Sequence, residues 1–143
     1  MSSTDATFIG EEITTSFTLS ARDIRAGAEF CRDKNPIHYQ EKAATNAGFK
    51  TIIASGGHTS SLFSATLTHY FENQCALMGL ESHFFFKKPI YADQLLTVQW
   101  QTTDMVTKNT LKGDIVTFHG EMFNANGEVV ISGILKILFL TNR

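Results

Sequence analysis

The apolar residues of this chain change their spacing once, and that change limits the fold more than anything else in the sequence. Between Ser55 and Phe71, the residues Leu62, Phe63, Thr66, Leu67, Tyr70 and Phe71 form two adjacent columns at helical spacing. After Glu81 the period is two: Leu96, Val98 and Trp100 alternate with Thr97, Gln99 and Gln101, and Val116, Phe118 and Met122 alternate with Thr117, His119 and Glu121. The helical stretch is rich in small hydroxyl residues (Ser60, Ser61, Ser64, Thr68), which are mediocre helix formers in water. Such a helix must be held by tertiary burial, and its small faces let a sheet approach closely. The pattern therefore predicts an α+β domain in which one buried helix is wrapped by a curved antiparallel sheet.

The flanking segments fit that plan. Residues 1–12 are small, polar and acidic and are expected to form a partly mobile lead-in, with one domain over 13–143. Thr14 to Leu19 alternates like a strand. Ser20 and Asp23 have the spacing of a capping box, so a helix starts there, with Ile24, Ala28 and Cys31 as its apolar stripe. Pro36 cannot extend it, which leaves Asp33 to Pro36 in a turn. A short helical piece is expected from Tyr39 to Thr45, and Gly48 breaks it. A strand from His83 to Lys88 carries Phe84, Phe85 and Phe86. Asn126-Gly127 signals a hairpin before a strand from Val129 to Leu140 that is apolar on both faces.

Composition excludes some functions. With 12 Lys and Arg against 14 Asp and Glu the net charge is -2, which argues against a surface built to neutralise nucleic-acid phosphates. No stretch approaches the ~20 apolar residues of a spanning helix, and no early run reads as an export signal, so a soluble cytoplasmic protein without membrane partners is expected. Cys31 and Cys75 then read as reduced thiols. Only 18% of residues are charged, against about 25% in an average domain. The surplus apolar surface leaves room for a subunit interface or an apolar ligand tunnel.

Chemistry concentrates in two places. Asp33 and His38 lie five residues apart with Asn35 and Pro36 between them, so an acid and an imidazole could address one water, one removing a proton and the other delivering or orienting one. The same residues are also ordinary turn formers, with His38 capping the next segment. Ser55, Gly56 and Gly57 open the buried helix, where free N–H groups unobstructed by side chains suit a developing negative charge on a carbonyl oxygen. A tight strand-to-helix turn needs glycine there too, and without Gly-x-Ser-x-Gly spacing Ser55 is a donor or a cap, not a nucleophile. His58 either touches substrate or bonds a neighbour. Phe84 and Phe86 could line an acyl pocket or pack the core, and Lys87 and Lys88 could meet a phosphorylated carrier or end a solvated strand. No histidine or cysteine spacing suits a metal.

The segment Asp33-Lys34-Asn35-Pro36-Ile37-His38 resembles the Asp-x-Asn-Pro-x-His signature of the MaoC-like dehydratases, the family of (R)-specific enoyl-CoA hydratases. Ile53-Ala54-Ser55-Gly56-Gly57-His58-Thr59 is similar to the entry of that family's central helix in one branch. Lys88-Pro89-Ile90 with Asp93, and Asn126-Gly127-Glu128-Val129-Val130, resemble two later stretches, so the likeness runs from about residue 18 to 140. It implies a hot dog fold, usually paired into a homodimer. It also implies Asp33 and His38 as the catalytic pair and Asn35 as their orienting neighbour. Ser55, Gly56 and Gly57 would lie at the substrate, with Gly56 N–H on the thioester oxygen. The implied reaction is reversible hydration of a trans-2-enoyl thioester, with coenzyme A entering only as part of the substrate and no separate cofactor. Ser55-Gly56 stands where many members have His-Gly, and Gln40 where an acidic residue is frequent. A hot dog thioesterase and a noncatalytic acyl-CoA binding domain are the alternatives.

Overall fold

The computed structural model describes residues 10–140 of the chain. Among the described residues, five strands form one antiparallel sheet: β1 (Glu12–Phe17), β2 (Leu77–Phe86), β3 (Leu96–Lys108), β4 (Gly113–Phe123) and β5 (Val129–Leu140). Their spatial order is β1-β3-β4-β5-β2. Helices α1 (Ala21–Phe30), α2 (Glu41–Asn46) and α3 (Gly56–Phe71) lie between β1 and β2 in sequence. This is the hot dog architecture: a long helix in the concave face of an antiparallel sheet. No helix among the described residues is long and apolar enough to cross a membrane.

The long helix is held as its sequence requires. Phe63, Leu67 and Phe71 are fully buried against the sheet, each contributing about 1.5–3 kcal/mol relative to exposure. The hydroxyls fold back onto the helix itself: Ser61 Oγ donates to Gly57 C=O at 2.8 Å, Ser64 Oγ to Ser60 C=O at 2.9 Å, and Thr66 Oγ1 to Phe63 C=O at 2.7 Å. Trp100 of β3 stacks on Phe63 with centroids 4.3 Å apart, and its indole N–H donates to Thr66 Oγ1 at 3.1 Å. Gly120 and Gly133 are direct cross-strand partners. A Cβ at Gly120 would run into the Trp100 ring, and one at Gly133 would press on Phe63 and Phe84. The sheet can close on these rings because those two positions have no side chain.

The Ser20–Asp23 capping box forms in full. Elsewhere the boundaries move. β1 begins at Glu12, which pairs with Gln101, and ends at Phe17; residues 1–9 of the expected lead-in lie outside the described residues. On α1 the buried positions are Ile24, Gly27 and Ala28, whereas Cys31 is the exposed C-cap. α2 starts at Glu41 instead of Tyr39, because Pro36–His38 forms a 3-10 turn after which Tyr39 leaves helical geometry and Gln40 is extended. β2 begins six residues earlier than His83, at Leu77, and stops at Phe86. It is an exposed edge strand with a bulge between Gly79 and Glu81, and so lacks the alternation that marks a half-buried strand. The Asn126-Gly127 hairpin is present, with the loop spanning 124–128 and Gly127 at φ 77°.

Candidate active site

The turn after α1 is built by local bonds. Arg32 takes a left-handed conformation (φ 60°), reversing the chain so that Asp33 N–H donates to Ala28 C=O at 2.9 Å. Asn35 N–H donates to Asp33 Oδ1 at 3.2 Å, while Asn35 Oδ1 accepts the N–H of Ile37 at 3.3 Å. Pro36, preset for the first turn, then opens the 3-10 segment that carries His38 inward. His38 is buried, 6% exposed, and its Nε2 lies 3.0 Å from Asp33 Oδ2. Asn35 thus contacts the acid through its backbone N–H, while its side chain caps the 3-10 segment.

The other imidazole nitrogen decides the protonation pattern. His38 Nδ1 is 2.7 Å from the carbonyl oxygen of Ile53. A carbonyl can only accept, so Nδ1 carries the proton. Nε2 therefore has a free lone pair when His38 is neutral, facing a carboxylate that also offers only lone pairs. A single proton between Nε2 and Oδ2 satisfies both, either as imidazolium with carboxylate or as imidazole with carboxylic acid. The Asp33 side chain, 38% exposed, presents its remaining lone pairs outward.

Ser55 is the N-cap of α3: fully buried, its Oγ accepts the His58 N–H at 3.2 Å. Gly56 and Gly57 are the first residues of the helix, where backbone N–H groups have no partner within it. His38, Gly56, Thr59, Phe86, Lys87 and Lys88 border one cleft of about 430 Å³. Phe86 packs close enough to Gly56 that a Cβ there would touch its ring at 3.3 Å.

Asp33, Asn35, Ser55, Gly57 and Phe84 do not line that cleft, although Asp33 touches His38, which does. Phe84 turns inward onto Phe63, 6.0 Å between centroids, while Phe85 projects from the outer face of the sheet. Ser55 lies beneath the helix start. Gly57 is exposed on the side of Cys31. Lys88 Nζ is paired with Glu128 Oε2 at 2.9 Å. The Glu128 carboxyl is held below its ordinary range by the Asn124 amide and then by Lys88.

Ile53, Tyr39 and Arg25 escape a reading by motif. Ile53 contributes a carbonyl, which no side-chain pattern announces, and Tyr39 and Arg25 act on the backbone of the turn. Among the described residues, no group of three or more His, Cys, Asp or Glu side chains converges to hold a metal.

Comparison with known proteins adds to this geometry. Residues 5–119 match the family model of the MaoC like domain. The chain is 27% identical over 124 residues to the mitochondrial 3-hydroxyacyl-(acyl-carrier-protein) dehydratase of Arabidopsis thaliana, covering 86% of this chain and 71% of that protein. It is 28% identical over 88 residues to the 3-hydroxybutyryl-CoA dehydratase of Methylorubrum extorquens, covering 62% of this chain and 55% of that protein. The match thus spans about half the length of the second relative. In fold it is similar to an (R)-hydratase from A. caviae involved in PHA biosynthesis, with a TM-score of 0.79 and 22% identity over 90% of this chain and 94% of that one.

Proposed function

The chain belongs to the family of MaoC-like dehydratases, and on that premise we propose that it is a hydro-lyase that reversibly adds water to trans-2-enoyl thioesters to give (R)-3-hydroxyacyl thioesters. The observation that carries this reading is the 3.0 Å contact between Asp33 and His38 beside the start of α3. Hydration places a hydroxyl on C3 and a proton on C2 while negative charge gathers on the thioester oxygen. Asp33 as carboxylate takes a proton from water as its oxygen bonds to C3. His38 as imidazolium gives the Nε2 proton to C2. The pair is left as carboxylic acid and imidazole, and transfer of that proton across the 3.0 Å contact restores the starting state. The Gly56 N–H receives the thioester oxygen, where a preorganised donor lowers the barrier without reorganisation.

Ser55 supports this role by fixing the first turn of α3. Phe86 forms an apolar wall beside Gly56. The reaction exchanges no electrons, so coenzyme A or another thiol carrier enters only with the substrate. Lys88 is paired with Glu128 at the surface, and Lys87, which also borders the cleft, is the cation that meets a carrier phosphate. The active form is a homodimer joined through the exposed edge strand β2.

The test is hydration of crotonyl-CoA and longer enoyl-CoAs, followed as loss of the conjugated enoyl absorbance. Asp33→Asn and His38→Gln are each expected to lower turnover by about 10²- to 10⁴-fold with an unchanged circular dichroism spectrum. Unchanged turnover in either variant overturns the assignment. Release of free thiol in place of hydration would make the protein a thioesterase, and binding without turnover a noncatalytic acyl-CoA domain.

A further inference from the structure

Tyr39 follows His38 directly in the chain, yet its hydroxyl donates a 2.7 Å hydrogen bond back to the main-chain carbonyl of Asp33. The bond closes the segment 33–39 into a ring that has one member of the acid–imidazole pair near each end. Tyr39 is itself held from two directions. Its N–H donates to Pro36 C=O at 3.0 Å, and Arg25 Nε, reaching from α1, donates to Tyr39 C=O at 3.0 Å. We propose that Tyr39 is a positioning residue for Asp33, with Arg25 bracing it; this rests on the reading of Asp33 and His38 as the catalytic pair.

The two members of the pair are anchored unequally. His38 is buried and tied to Ile53 independently of the turn. Asp33 sits on a partly exposed turn behind a left-handed Arg32; its N–H is held by Ala28 C=O and its carboxylate takes the Asn35 N–H, and its carbonyl is the remaining group at which its backbone can be fixed. The Tyr39 hydroxyl supplies that fixing at the Asp33 carbonyl. A catalytic group misplaced by about 1 Å can cost on the order of 10²-fold in rate. Burial, and then the nearby charges of Glu29 and Asp33, push the Tyr39 phenol above its ordinary value, which keeps the hydroxyl a donor.

Tyr39→Phe removes the hydroxyl and keeps the ring. With crotonyl-CoA as substrate, kcat is expected to fall about 10- to 100-fold with KM and Tm close to wild type. The pH dependence of kcat should move as well, because the proton shared by Asp33 and His38 no longer sits in the same geometry. If Asp33→Asn is inactive while Tyr39→Phe keeps wild-type kcat and pH profile, the positioning role is overturned and the catalytic pair stands. If Asp33→Asn retains turnover, the catalytic reading itself fails. Should Tyr39→Phe lose its fold, Arg25→Met, which keeps the stem but has no donor for the Tyr39 carbonyl, carries the test through the His38 imidazole proton resonances. A shift of those resonances supports the brace, and wild-type resonances with wild-type kcat overturn it.

Discussion

His58 is half-buried, with its ring turned onto a neighbouring helix. It stands in the first turn of α3, and its ring lies on Gly27 of α1, so close that a Cβ at Gly27 would fall inside the imidazole. Nδ1 is buried with no hydrogen-bond partner among the described residues. Burial lowers the His58 pKa from its ordinary value, and the charge of Asp23 pulls weakly the other way. A cation there would place an N–H in a slot with no acceptor. Because the folded pKa is depressed, the unfolded chain binds the proton more readily. The stabilisation is therefore fully present above the unfolded value, about 6.5, and is lost as pH falls from there through the folded value. His58→Leu, which removes the titration and can still fill the slot, should show a shallower fall of Tm than wild type between about pH 7 and 5. Parallel curves for the two proteins would contradict this account.

The elements differ in how much of them local sequence determines. The Ser20–Asp23 box, the Asn126-Gly127 hairpin and the Asp33-to-His38 turn are all made by residues within a few positions of one another, and each is legible in the sequence. The Ile53 carbonyl on His38 is not: the partners are fifteen residues apart, and one is backbone. The first part of β2, before His83, is hidden for a different reason, since an exposed strand with a bulge has no buried face to impose alternation. The paired glycines of β4 and β5 read as gaps in apolar strands, and only packing explains them. Gly133 lets Phe63 and Phe84 approach the sheet; a Cβ would meet them at 2.9 and 3.0 Å, with the His83 carbonyl at 3.2 Å. Rings fixed in the core can yield only by leaving preferred rotamers. Gly133→Ala is thus expected to destabilise the fold by about 1–3 kcal/mol, measured by urea unfolding, and an unchanged midpoint would show that the core has slack there.

A sheet of five strands has two edges, and the whole molecule treats them differently. β1 is short, six residues, and Tyr70 of α3 reaches Glu11 just before it. β2 is ten residues long and exposed along most of its length, with Met78, Leu80, Phe85 and Phe86 each 41–56% accessible. Its sequence contains neither proline nor lysine, and the devices that discourage edge pairing are confined to Glu81 and the bulge beside it. A second copy placed about a two-fold axis would continue the sheet through β2, antiparallel and self-complementary, which closes the assembly at two subunits. That arrangement gives a use to the apolar surplus of a chain only 18% charged. Phe86, at the end of β2, borders the cleft of His38 and Gly56, so the proposed interface and site share a strand. Static light scattering should return twice the chain mass at micromolar concentration. Leu80→Lys, which puts lysine on an edge strand that has none, should return the mass of one chain while keeping the wild-type far-ultraviolet spectrum. A monomeric wild-type protein, or a Leu80→Lys variant that stays dimeric, would remove β2 as the interface.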